Sequence, residues 1–163
     1  MTIITDRVVD YCAQECSWQI SGELSVAWMI RGWRYAHRRS KRLPRVDDVL
    51  MLGRIVEPRA NPTADFRKVN VRVGFDVKRD FEFVPASMRA LVESLDLLHL
   101  LSEDDAVEWF REYEEIHPFA DGNGRTGSLL YNWLRGSLHE PVHPPNLWAD
   151  PRRCYEGYPV PSV

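Results

Sequence analysis

The sequence is short of three features that would mark a particular class of protein: disulfide cysteines, excess charge and long apolar runs. It has three cysteines, an odd number with no framework for disulfides, and we expect them to be buried thiols in a reducing cytoplasm (Cys12, Cys16 and Cys154). A net charge of −3 argues against a dedicated nucleic-acid-binding protein, whose domain is usually strongly basic. No apolar run approaches the ~20 residues of a membrane span, and the first residues lack the pattern of a secretory signal. We therefore expect a cytoplasmic protein that neither crosses a membrane nor binds nucleic acid.

The composition is that of one globular domain. A chain of 163 residues with a hydrophobic fraction of 44% can bury a core of ordinary size. No internal repeat, low-complexity segment or linker divides it. We expect a single domain over residues 1–163, with a proline-rich tail from Pro141 that is irregular but packed on the rest.

Apolar periodicity predicts a mainly α-helical fold with one short β-hairpin. Six segments have helical patterns. The first two cover residues 6–16 and 18–38, and the third runs from a first turn at Pro44 to Val56. The others run from Pro85 to Leu98, from the cap at Ser102 to Ile116, and from Gly124 or Arg125 to Leu134. Alternation of apolar and polar residues on both sides of Gly74 predicts a hairpin within residues 66–84.

One run, His117 to Ser128, carries the residues from which chemistry can be inferred, and it falls where one predicted helix ends and the next begins. Gly122 and Gly124 allow positive φ and let a ligand approach the backbone closely. Their amides, with that of Asn123, would lie at a helix start, which is a ready anion site. Arg125 adds a planar fork that matches phosphate oxygens.

Two further side chains in the same run complete a set suited to phosphate chemistry. Asp121 offers a hard oxygen, and Mg²⁺ commonly takes one or two protein carboxylates together with substrate phosphates. His117, four residues earlier, can accept a proton from an attacking hydroxyl. Each residue alone is commonplace in a turn or helix cap, but their conjunction predicts phosphoryl or nucleotidyl transfer.

The run resembles the signature of the Fic (filamentation induced by cAMP) family, His-Pro-Phe-x-Asp-Gly-Asn-Gly-Arg-x-x-Arg, and matches it from His117 through Arg125. The segment Phe66 to Val84 resembles the flap hairpin of that family, and Val49 to Leu52 resembles its preceding core helix. The resemblance covers residues of about 18 to 140.

The resemblance implies a Fic-like helical core that transfers a nucleoside monophosphate, usually AMP from ATP, to a Ser, Thr or Tyr hydroxyl of a target protein. By position, His117 would be the base, Asp121 would hold Mg²⁺, and Arg125 would clamp phosphate. Phe119 would anchor the loop in the core. The remaining roles belong to two short runs: a phosphate cradle (Gly122, Asn123 and Gly124) and a flap that docks the target as an added strand (Asn70, Val71, Arg72, Val73 and Gly74).

Ser128 stands where the family pattern has its last arginine, so by position it would also belong to the nucleotide- and phosphate-binding residues. The loss of such an arginine from a phosphate site can cost on the order of 10³-fold in rate. Four explanations stay open: another base fills the space (Arg72, Lys78, Arg79, Arg135, Arg152 or Arg153), the donor is a different nucleotide-linked group, the chemistry is a Doc-like phosphotransfer, or the enzyme is slow or inactive. A non-catalytic binding module on the same fold is the alternative from another class.

Many Fic proteins block their donor site with a Ser/Thr-x-x-x-Glu-Gly/Asn motif on a helix. The nearest match, Ser17 to Gly22, has Ser21 in place of the glutamate, and near Glu156-Gly157 the residue Arg152 stands where Ser or Thr is needed. The sequence therefore predicts no intact self-inhibition, and it leaves open a separate inhibitory protein of the antitoxin kind.

Overall fold

The computed structural model describes residues 4–19, 22–97 and 101–146, and within these ranges the protein is built from six α-helices and one two-stranded sheet. The helices are α1 (Asp6–Trp18), α2 (Glu23–His37), α3 (Val46–Val56), α4 (Val84–Glu93), α5 (Glu103–Ile116) and α6 (Asn123–Leu134). Strands β1 (Arg72–Val73) and β2 (Asp76–Val77) pair antiparallel, with Arg72 opposite Val77 and Val73 opposite Asp76. The expected all-α fold with one short hairpin is confirmed.

The predicted helix boundaries shift where capping decides them. The helix expected from residue 18 begins instead at Glu23, because α1 extends to Trp18 and Gly22 caps α2. Pro44 lies outside α3: the Asp48 carboxylate accepts the backbone N–H of Arg45 at 2.8 Å, and this makes Arg45 the N-cap.

Helices α4 and α6 also differ from the expected boundaries. The α4 helix begins at Val84, with Pro85 in its first turn, and it ends at Glu93. A 3₁₀ turn (Ser94–Leu97) follows, and Leu98 lies outside the described residues. The α6 helix begins at Asn123, one residue before the earliest expected start, and Gly136 follows its end with φ 69° as expected.

The α6 helix is the centre of the fold. It packs against α2, α3 and α5, and every residue in it except Gly124 is buried. A helix enclosed on all sides must pair its polar groups internally. Asn132 shows this: its amide donates to the Tyr11 hydroxyl and to the backbone of Ser128 and Val142. The amide also ties the described part of the tail, up to residue 146, to the core.

Cys12 and Cys16 are buried free thiols on one face of α1, as expected, and Cys154 lies outside the described residues. Burial raises the pKa of Cys12 to about 12 and that of Cys16 to about 11. Both thiols are therefore protonated and unreactive near neutral pH.

Among the described residues, no helix combines the length and the apolar character needed to cross a membrane.

Candidate active site

The candidate site is the loop that joins α5 to α6, and its first residue has an unusual backbone. His117 caps α5 in the left-handed conformation, with φ 51° and ψ 66°, and its N–H donates to the carbonyl of Tyr113. It is the one non-glycine residue with positive φ in the described part of the chain. Such a conformation costs about 1–2 kcal/mol, so the surrounding contacts must hold it in place.

Two side chains fix the shape of the loop from inside. The Asn123 amide accepts the N–H of Phe119 at 2.8 Å and donates to the Phe119 carbonyl at 2.9 Å. The Phe119 ring is fully buried and lies so close to Gly53 that a Cβ there would come within 2.3 Å of it. The expected role of Phe119 as a core anchor agrees with this packing. The Asn123 side chain holds the loop, so this residue has only its backbone amide free for a ligand.

The start of α6 presents unpaired backbone amides. Its first backbone hydrogen bond runs from Thr126 to the carbonyl of Gly122, and no side chain caps the helix. The amides of Asn123, Gly124 and Arg125 therefore have no partner within the helix, which leaves a site that attracts anions. Gly122 has φ 79°, the positive value that the sequence predicts.

The same prediction is wrong for Gly124, which lies within the first turn of α6. Residue 124 must be a glycine because there is no space for a side chain: a Cβ there would lie 2.7 Å from the side-chain oxygen of Gln19. The end of α1 thus covers the start of α6 on this side. Ser21 of the incomplete inhibitory motif lies outside the described residues.

Arg125 is buried, and Glu57 is its counter-ion. Its NH2 group lies 3.0 Å from Glu57 Oε2 and 3.8 Å from Asp121 Oδ1, and its side chain is only 3% exposed. Glu57 follows the last residue of α3 and is also buried. Glu57 was not predicted from the sequence, because an acidic residue at the end of an apolar helix is a weak signal. The fork of Arg125 therefore lies at the anion site in a fixed position.

Asp121 is the most open of the expected site residues. Its side chain is 68% exposed, and Oδ1 accepts the N–H of Gly122 at 2.6 Å. An exposed carboxylate beside free amides and an arginine fits a Mg²⁺ ion that shares substrate phosphates and keeps several waters. No group of three or more His, Cys, Asp or Glu side chains in the described ranges forms a metal cage by itself.

Arg67 connects the flap to the loop of His117. Its guanidinium donates to the carbonyls of His117 at 2.7 Å, Ile116 at 3.3 Å and Val69 at 2.6 Å, and also to the carbonyl of Arg79. Its backbone N–H donates to Pro118. Burial lowers the pKa of Arg67, and the nearby charge of Asp80 opposes this. One side chain thus holds both ends of the hairpin and the strained His117.

We expect Arg67→Lys to lower the free energy of unfolding by about 2 kcal/mol, because a single ammonium cannot serve carbonyls that lie in several directions. Chemical denaturation measures this directly. Arg111→Lys is the matched control, since Arg111 makes an exposed pair with Glu108. This variant should change stability by less than about 0.5 kcal/mol. Equal stability of the two variants would contradict the bridging role of Arg67.

The flap residues lie where the sequence predicts a hairpin, although the strands are only two residues long. Gly74 turns the chain with φ 59°. Asn70 accepts the N–H of Phe81 through its side chain, the carbonyl of Val71 accepts the N–H of Lys78, and Arg72 is exposed in β1 while Val73 is half-buried. Apolar side chains on and beside the hairpin are exposed to solvent (Val69, Phe75, Val77 and Phe83).

Ser128 points into the core. It is fully buried, its hydroxyl donates to the carbonyl of Arg125 at 3.0 Å, and it interacts with the hydroxyl of Tyr11 on α1. Burial and the charge of Glu15 raise the pKa of Tyr11, so the phenol is neutral. The α1 helix thus closes over Ser128.

Of the bases considered as replacements for the missing arginine, three pair with carboxylates elsewhere, and Arg72 is exposed in β1. Arg135 pairs with Glu103 at the far end of α6, Arg79 pairs with Glu112, and Lys78 pairs with Asp76. Arg152 and Arg153 lie outside the described residues.

Comparisons with known proteins agree with this geometry. The family model described as Fic/DOC family matches residues 44–134, so the chain belongs to the Fic/DOC family. Three solved structures share its fold at a TM-score of 0.59 each. They are a Fic-domain-containing signaling protein from Bacteroides thetaiotaomicron, a Fic family protein from Desulfovibrio desulfuricans, and residues 134–508 of Fic-1 from C. elegans.

These likenesses concern the fold alone. The identities are 22%, 19% and 24%, over 68%, 86% and 74% of this chain respectively. The matched parts make up 46%, 40% and 37% of those three proteins, so this chain spans less than half of their length.

Proposed function

We propose that the protein is a nucleotidyltransferase of Fic type, which moves a nucleoside monophosphate, AMP from ATP, to a Ser, Thr or Tyr hydroxyl of a target protein. The observation that carries the proposal is the convergence at one loop: a histidine, a buried arginine, an exposed carboxylate and the unpaired amides of a helix start. A binding module would need the amides and the arginine, but it would have no use for a histidine held in a strained backbone.

The proposed reaction is a displacement at the α-phosphorus of the donor. The target hydroxyl oxygen forms a bond to phosphorus, the bond from phosphorus to the bridging oxygen breaks, and pyrophosphate leaves. The hydroxyl proton moves to His117, whose Nδ1 is buried, so the proton reaches the other ring nitrogen. The backbone amides of α6 and Arg125 bind the phosphate oxygens in this scheme. Mg²⁺ held by Asp121 would neutralise charge on the donor phosphates when bound.

The target approaches His117 along the flap in this proposal. Among the described residues the sheet of the hairpin has two strands, so each strand has an outer edge to which an extended segment can add. Arg67 connects the flap to His117 and so sets the distance between a docked segment and the base. The exposed apolar residues of the flap favour a target segment with apolar side chains.

Ser128 favours a second candidate for the donor. With serine turned into the core, no arginine on the second turn of α6 reaches a distal phosphate. A donor without a γ-phosphate, or a Doc-like reaction in which the transferred group is a phosphate, places less demand on that position. A separate inhibitory protein and a cytoplasmic location stay predictions.

We expect Ser128→Arg to be destabilised by about 1–3 kcal/mol and to gain no transfer activity, because the longer side chain meets Tyr11 and the buried face of α1. Denaturation and a transfer assay check the two parts. Ser128→Ala, which only removes the hydroxyl, is the matched control. A stable Ser128→Arg variant with increased transfer would show that the site has room for the arginine and uses a distal phosphate.

Labelled donors test the proposed function. The protein is incubated with Mg²⁺, cell lysate and either α-labelled or γ-labelled nucleotides of each base. A protein band labelled from the α-position supports nucleotidyl transfer and also identifies the nucleobase of the donor. A band labelled only from the γ-position, and absent with His117→Asn, supports phosphotransfer by this protein rather than by kinases of the lysate. If no band with any nucleotide depends on His117, both enzyme hypotheses are overturned in favour of a binding module.

A further inference from the structure

Glu114 lies directly behind the imidazole of His117. The two residues are one helical turn apart, and Glu114 Oε2 is 3.5 Å from His117 Nδ1. Both side chains are enclosed, with 7% of the Glu114 side chain and 14% of the His117 side chain exposed. The family resemblance assigns nothing to Glu114, because the matching signature begins at His117.

Two buried polar atoms of this pair lack a hydrogen bond in the described part of the chain: His117 Nδ1, which faces Glu114 Oε2, and the other carboxylate oxygen, Glu114 Oε1. A buried carboxylate oxygen without a hydrogen bond is costly, so the retention of Glu114 requires an explanation. Charge on Glu114, after burial itself, raises the pKa of the adjacent Tyr113, so that phenol stays neutral. His117, whose Nδ1 is 3.5 Å from the carboxylate, is a neighbour that can gain a positive charge.

Gly127 makes the room for this carboxylate. A Cβ at Gly127 would lie 2.8 Å from Glu114 Oε1 and 2.9 Å from the ring of Tyr113. The α6 helix therefore closes on the end of α5 only because residue 127 has no side chain. The carboxylate therefore lies between the two helices.

We propose that Glu114 is a positioning residue for His117. Its carboxylate accepts the Nδ1 proton, which leaves the lone pair on Nε2 for the target hydroxyl. When Nε2 takes that proton, the carboxylate stabilises the imidazolium ion. The distance of 3.5 Å shortens to about 2.8 Å when substrates close the site, as catalytic hydrogen bonds are often long in unliganded enzymes. The catalytic part of this inference rests on the proposed function, whereas the tautomer does not.

The tautomer is tested first, by ¹⁵N NMR of histidine-labelled protein, with the His117 signals assigned by their loss in His117→Asn. We expect a proton on Nδ1 in the wild-type protein. In Glu114→Leu the acceptor is gone, and we expect the proton to move toward Nε2. A wild-type His117 with its proton on Nε2 would overturn the proposal whether or not the protein is a transferase.

The charge is tested by Glu114→Gln, which keeps the shape and an acceptor oxygen but not the negative charge. We expect kcat to fall at least about tenfold, part of the 10²–10⁴ that a general base supplies, with the KM for the donor unchanged. Glu108→Gln, on an exposed face of α5, is the matched control and should keep full activity. An unchanged kcat in Glu114→Gln would overturn the electrostatic role, and a fall in stability without a change in tautomer would assign Glu114 to packing.

Discussion

Replacing His117 by Asn is expected to lower the rate of label transfer by about 10²–10⁴-fold, while the affinity for the nucleotide stays within about twofold. The proton of the target hydroxyl then has no acceptor, whereas the amides of α6 and the Arg125–Glu57 pair that would bind the phosphates are untouched. Asparagine is preferred to alanine because residue 117 has φ 51°, a backbone conformation that asparagine tolerates well. The transfer rate and nucleotide titrations provide the two measurements.

Two controls make this result decisive. His139→Ala removes an exposed histidine whose ring contacts His37, so it should leave transfer unchanged. His117→Ala, which carries the extra cost of a left-handed alanine, should lose transfer as well and also some stability. If the His117 variants keep the full biological effect of the wild-type protein, the protein acts by binding and not by transfer.

Replacing Glu57 by Ala is expected to lower the free energy of unfolding by about 3–5 kcal/mol, because it leaves the guanidinium of Arg125 buried without its counter-ion. The buried Nε of Arg125 already has no partner, and Asp121, at 3.8 Å, is mostly exposed and so compensates only in part. Chemical denaturation measures the loss. Glu108→Ala breaks the exposed pair with Arg111 and should cost less than about 1 kcal/mol.

Phosphate ligands provide a second readout of the Glu57 pair. When the counter-ion is gone, an anion at the start of α6 becomes the available partner for Arg125. Pyrophosphate should therefore raise the Tm of Glu57→Gln more than that of the wild-type protein, as expected for a ligand that binds only the folded state. A pyrophosphate response that is equal in the two proteins would contradict the expectation that Glu57 and the bound anion compete for Arg125.

Much of this site is local, and the sequence alone could therefore predict it. His117, Asp121, Gly122 and Arg125 lie within nine consecutive positions, so a single turn between two helices brings them together. Their partners are distant in sequence. Glu57 is 68 residues from Arg125, and Arg67 is 50 residues from His117. Neither distant residue belongs to a periodic pattern that would have identified it.

Two glycines and one serine show where local reasoning fails. Gly122 needs a positive φ, and a turn before a helix indicates that from sequence. Gly124 and Gly127 need no special φ. A Cβ at Gly124 would collide with Gln19 at the end of α1, and a Cβ at Gly127 would collide with Glu114 of α5. The sequence places Ser128 one helical turn after Arg125. It does not show that the side chain faces Tyr11 on α1.

The sequence by itself determined the helical class, the short hairpin, the loop with its histidine, aspartate and arginine, and the family to which the chain belongs. Periodicity and consecutive motifs carry that information because they act over a few residues. Only the tertiary structure decided which groups surround them: Glu57 beside Arg125, Arg67 beneath His117, Glu114 behind its ring, and α1 over Ser128. Such contacts depend on how helices pack, and burial gives a charge or a hydroxyl its partner only after the core has formed.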